Sequence, residues 1–79
     1  MLQIRNQPLL EAIALVIRQL RYKRGISQER FYEDTGILIS RIELAQVNVS
    51  VSTLAAICLY FDISIKDFFN RVEKEITSH

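Results

Sequence analysis

The chain has 79 residues, near the lower end for one independently folding domain, and nearly half of them (49%) are hydrophobic, which excludes an intrinsically disordered chain. A single cysteine, Cys58, excludes an internal disulfide framework and a Cys-rich zinc site, and no apolar run is long enough to suggest a membrane span. The formal net charge of +1 hides an asymmetry: residues 1–25 hold five basic residues against Glu11, a local balance of +4, and the rest of the chain carries −3.

Two glycines and one proline leave few breaks, so the pattern predicts an all-α chain folded as one domain over residues 1–79. A first helix is expected from near Pro8, whose missing N–H costs nothing in a first turn. Leu9, Leu10, Ile13, Val16, Ile17 and Leu20 follow at helical spacing and define a buried stripe. Arg18, Arg21, Lys23 and Arg24 favour the negative end of that helix, and Gly25 supplies a left-handed closure.

Ser27 is an N-cap for a second helix over about 27–34, with Gln28 and Glu29 in its first turn and Phe31 facing the core. Thr35 and Gly36 interrupt it. A third helix over about 36–44 turns Ile39 and Ile42 inward, and the stretch from Gln46 to Val51 reads as an ordered loop. Ser52 is expected to cap a fourth helix with Leu54, Ile57, Cys58 and Phe61 on one face. Ser64 and Asp67 form the start of a fifth, whose stripe is Ile65, Phe68, Phe69, Val72 and Ile76. The expected fold is a compact five-helix bundle, with residues 1–6 as an arm or added strand and residues 77–79 as a frayed tail.

The sequence resembles the helix-turn-helix family of phage Cro and repressor proteins, also called the Xre family. The resemblance runs from about Ile13 to Phe69. It rests on Ile17 to Arg21, then Arg24-Gly25-Ile26-Ser27-Gln28-Glu29, Gly36-Ile37, Arg41-Ile42-Glu43, and finally Ser52 to Phe69. It implies a repressor-like domain whose second and third helices bind double-stranded DNA, the third lying in the major groove. Ser27 and Gln28 would meet backbone phosphates at the start of the second helix, and Gln46 and Asn48 would do so in the loop after the third. Asn48 is equally suited to a turn that bonds its own backbone. Arg21 and Glu43 match a pair that joins the first and third helices as scaffold.

The family's pattern runs about three residues longer between the turn glycine and that glutamate, close to one helical turn at about 1.5 Å per residue. Here Gly36 and Glu43 are seven positions apart, so the shortening falls on the turn and on the N-terminal end of the recognition helix. Tyr32 stands where the family favours alanine at a close helix contact, which also points to altered geometry. Counted back from Glu43, Thr35 takes the N-cap position of the third helix. The base-facing candidates are Ile37 and Leu38 for thymine methyl groups, Ser40 as donor or acceptor, and Arg41 for guanine. The alternatives for Arg41 are a phosphate contact or an ion pair with Glu33 or Asp34.

Ala45 stands where the family favours glycine, and Gln46 and Val47 stand where it favours cations, so one copy should bind weakly. A homodimer would compensate. Ala12, Leu15, Leu59 and Tyr60 lie off the main stripes, and Val47, Val49 and Val51 flank the fourth helix, which suggests an interface through the fourth and fifth helices and that loop. His79, the sole histidine, is terminal, and no phosphate loop or metal-spaced cluster exists, so no enzyme, cofactor or metal is expected. The expected function is a cytoplasmic, DNA-binding transcriptional regulator. The competing expectation is a protein-interaction or antitoxin-like module that keeps the fold.

Overall fold

The computed structural model describes residues 4–77, which form five α-helices and no strand. They are α1 (Gln7–Arg24), α2 (Gln28–Thr35), α3 (Ile39–Glu43), α4 (Val51–Tyr60) and α5 (Ile65–Thr77). No helix of the described residues is long and apolar enough to cross a membrane.

Helix α1 starts one residue before Pro8, because Asn6 is the N-cap and its side chain accepts from the Leu9 N–H at 3.1 Å. Gly25, at φ 65°, closes it in the left-handed conformation. Its apolar stripe makes α1 the central element: α5 and α3 pack against it, α2 packs on α3, and α4 packs on α5. Val16, Ile17, Phe31, Ile39, Ile57, Phe68 and Val72 are fully buried where these helices meet. Phe31 stacks on Phe61 at 5.6 Å between centroids and meets Tyr60 edge-on at 4.8 Å, which joins α2 to the end of α4.

Several expectations shift. Ser27 caps α2 by accepting from the Arg30 N–H at 3.0 Å, as its position predicts. The third helix is five residues long, not nine: Gly36 (φ 75°) ends α2, and residues 36–38 form the turn rather than its first coil. Thr35 belongs to α2 and does not cap α3. Its hydroxyl donates to the Phe31 carbonyl at 2.8 Å and accepts from the Ile37 N–H at 3.1 Å, so it seals the turn from inside. Ser50, not Ser52, caps α4. It has the extended backbone a cap requires, and its Oγ accepts from the Thr53 N–H at 3.0 Å. The loop expected from Gln46 to Val51 holds for residues 46–50, and Val51 is instead the first residue of α4. Ser64 caps α5 through the Asp67 N–H. Of the two terminal expectations, residues 1–3 of the arm and residues 78–79 of the tail lie outside the described residues, and Thr77 is the last residue of α5.

Ala12 belongs to the core, and Tyr60 packs partly against it, so neither is a free apolar surface. Leu59 is 82% exposed and Val51 76%, and they remain as outward apolar residues of α4. Burial raises the pKa of the Cys58 thiol, which suits a small core residue rather than a nucleophile.

Candidate nucleic-acid interface

A five-residue helix has little stability of its own, so what holds α3 decides what it can present. Its C-terminal residue, Glu43, is almost fully buried yet charged. Arg21 of α1 meets it with two bonds, Nε to Oε2 at 2.8 Å and Nη2 to Oε1 at 2.9 Å. The Gln28 amide of α2 donates to Oε1 at 3.0 Å, and Arg21 Nη1 donates to the Ile26 carbonyl at 3.0 Å. One carboxylate thus ties three helices together. The hydrogen bond to Glu43 is the main reason the Arg21 pKa is raised, which keeps the guanidinium firmly charged despite its burial. Among the described residues, no buried side-chain nitrogen or oxygen lacks a partner.

Arg18 adds a further anchor, donating to the Glu43 carbonyl at 2.7 Å. Beyond it, Ala45 takes the positive φ (56°) for which the resemblance would place glycine, and its methyl is buried against Leu10 and Ala14 of α1. A left-handed alanine costs about 1–2 kcal/mol. The buried methyl offsets part of that cost.

The opposite end of α3 differs. Leu38 occupies its N-cap with no side-chain cap bond and is 61% exposed. Ser40 is half-buried and Arg41 exposed, and Arg41 makes no side-chain hydrogen bond or ion pair among the described residues. Asp34 is already engaged: Arg30 donates to it at 3.2 Å and the Tyr60 hydroxyl at 2.6 Å. The Tyr60 hydroxyl first, and Arg30 after it, hold the Asp34 carboxyl below the usual range.

The remaining sequence candidates divide. Ser27 and Gln28 lie at the exposed start of α2, with one amide hydrogen of Gln28 committed to Glu43 and the other free to donate. Ile37 turns partly into the core rather than wholly outward. Gln46 is exposed, and Asn48 donates to the Ile4 carbonyl at 3.0 Å rather than forming a local turn. A groove of about 370 Å³ between α2 and α3 is lined by Gln28, Glu29, Tyr32, Glu33, Leu38, Ile39 and Ser40. Tyr32 is half exposed there rather than pressed into a close helix contact. Sequence reasoning missed Glu29, Tyr32 and Glu33 as groove residues. Their signal, three-and-four spacing on α2 away from Phe31, is visible once that buried residue is known.

A short helix pair joined through the buried Arg21–Glu43 pair and Gln28, with the second helix exposed along one side, is the geometry of a helix-turn-helix. The family model of the Cro/C1-type helix-turn-helix DNA-binding domain matches residues 16–74. The chain belongs to the Cro/C1-type helix-turn-helix DNA-binding family. Among solved structures it is similar to the wild-type restriction-modification controller protein C.Esp1396I, at 30% identity and TM-score 0.80 over 90% of this chain and 95% of that one. It is also similar to the same controller protein as a tetramer in complex with its natural 35-base-pair operator, at 30% identity and TM-score 0.76 over 86% and 93% of the two chains. No curated protein sequence matches it. The matched family is one of DNA-binding domains, not of enzymes.

Proposed function

We propose that residues 1–79 act as one cytoplasmic domain that, as a homodimer, binds operator DNA and regulates transcription, laying α3 in the major groove. The observation that carries this reading is the asymmetry of α3. Its C-terminal end is locked to α1 and α2 through Glu43, and its N-terminal end offers Leu38, Ser40 and an unpartnered Arg41. Family membership and the similarity to a controller protein seen on its operator support the same reading.

In this reading Arg41 donates to a guanine edge, Leu38 and the exposed part of Ile37 meet thymine methyl groups, and Ser40 adds a hydrogen bond. Ser27, Gln28, Gln46 and Asn48 contact the sugar-phosphate backbone and set the register. With few cations beside that surface, one copy gains little counterion release, and two half-sites about one helical turn apart supply the rest. Leu59 and Val51, exposed on α4, are the apolar residues available to the dimer, together with α5 and the loop before α4.

Footprints of the tagged protein across its genome would supply the operator, and fluorescence anisotropy on that duplex then tests the reading. Saturable binding with a measurable salt slope, weakened by Arg41→Ala, is expected. A flat titration at low salt with folded protein would overturn it, and specific co-purification of another protein would then favour an interaction module.

A further inference from the structure

We infer that Arg5 and Gln7 are positioning residues for the DNA-backbone contacts of the loop after α3, an inference that rests on the operator-binding reading above. The segment before α1, together with the first residue of that helix, meets this loop. Arg5 Nη2 donates to the Ala45 carbonyl at 2.8 Å, and Gln7 Nε2 donates to the same oxygen at 3.2 Å. Arg5 Nε also donates to Gln7 Oε1 at 3.0 Å, so the two side chains brace one another while sharing one acceptor. In return, Asn48 Nδ2 donates to the Ile4 carbonyl at 3.0 Å. The result is a strap from residues 4–7 to residues 45–48, closed from both sides.

The strap acts at one of the two non-glycine residues, Ala45 and Asp62, whose backbone is left-handed among the described residues. Ala45 has φ 56°, a conformation that costs a non-glycine residue about 1–2 kcal/mol, and without support the loop would sample others. The carbonyl that receives Arg5 and Gln7 belongs to this residue. Immediately beyond it, Gln46 and Asn48 share an open recess with Arg5 and Val47. A loop held in one conformation before DNA arrives loses less affinity to ordering, because apparent affinity scales with the fraction of molecules already competent to bind. Arg18 complements the strap from α1 by holding the Glu43 carbonyl. Together they support α3 and its exit from the C-terminal side.

The neutral variant separates positioning from charge. Gln7→Ala removes a donor to Ala45 and the brace on Arg5 without altering net charge, whereas Arg5→Ala removes both a donor and a cation. Amide hydrogen exchange of the free protein reads the strap directly at Ala45 and Gln46, whose N–H groups bond the Ile42 and Arg41 carbonyls. Both variants should accelerate exchange at those two amides and leave the interior of α2 unchanged. On the operator duplex, Arg5→Ala should weaken binding about threefold to tenfold and Gln7→Ala about twofold to threefold, the latter with an unchanged salt slope.

Unchanged exchange at Ala45 and Gln46 in both variants would overturn the inference. So would wild-type affinity in Gln7→Ala alongside an Arg5→Ala loss whose salt slope is shallower by about one, because that result makes Arg5 a direct phosphate contact. Failure of the wild-type protein to bind any duplex would sink the operator reading instead, while the exchange measurement still decides whether the strap holds the loop.

Discussion

The two ends of α3 are only five residues apart and are built on opposite principles. At Glu43 every polar atom is matched: Arg21 and Gln28 hold the carboxylate and Arg18 holds the carbonyl. At Leu38 the helix begins without a side-chain cap, beside a turn sealed only by Thr35 and Gly36. The difference shows how a very short helix can serve recognition. Polar rigidity is supplied from neighbouring helices at one end, while at the other Ile39 is buried in the core and Leu38, Ser40 and Arg41 carry no such bonds.

That contrast is open to a direct attack at its locked end. Replacing Arg21 with leucine leaves Glu43 buried without its main partner, and chemical denaturation should record a loss of about 3–5 kcal/mol. A loss below about 1 kcal/mol would mean that Gln28 and Arg18 suffice to hold the carboxylate.

The free end predicts the opposite pairing of effects. Arg41→Ala should cost about 1–3 kcal/mol in operator affinity, measured by anisotropy, and leave the denaturation midpoint nearly unchanged. Were stability to fall as much as affinity, Arg41 would be part of the scaffold and the contrast between the two ends would collapse.

A smaller effect sharpens where the loop leaving the locked end stops. Ser50→Ala should destabilise by about 1 kcal/mol through loss of the α4 cap, whereas Ser52→Ala should stay within about 0.5 kcal/mol, both read by thermal unfolding. Equal effects would mean that the cap is shared.

The smallest effect concerns the far side of the reading surface, where Asp34 accepts from Tyr60 and Arg30. The folded-state pKa of Asp34 is depressed, so its contribution is present above the unfolded carboxylate value and is lost as pH falls through the lower folded one. The Tyr60 pKa is raised, chiefly by that hydrogen bond to Asp34, so its contribution is present below the unfolded phenol value and is lost as pH rises through the folded one. Tyr60→Phe should therefore flatten both limbs of a stability–pH profile slightly. Unchanged limbs would show that this exposed contact adds nothing measurable.

Much of this was legible before the structure. Ser27, Gly25 and Gly36 punctuate the chain as local rules require, and the three-and-four spacing from Leu10 to Leu20 specifies the buried stripe of α1. The Arg21–Glu43 pair and the shortening before Glu43 were readable from spacing and resemblance. Other features were not. Ser50 and Ser52 are equally good capping residues, and only the path of the loop from Ala45 selects the first. The third helix is shorter than expected because residues 36–38, closed by Gly36 and by the Thr35 hydroxyl at the end of α2, form the turn instead of its first coil.

The sequence by itself therefore determined the number and order of the helices and most of their inward faces, because these depend on periodicity and on capping chemistry acting over a few residues, whereas the Arg21–Glu43 pairing was implied only by the family resemblance. Only the tertiary structure decided which end of α3 is fixed. Arg5 and Gln7 reach the carbonyl of Ala45, some forty positions away, through bonds set by how α1 lies across the bundle. No local rule encodes a contact of that separation, and it is the packing of α1 against α3 that brings the two together.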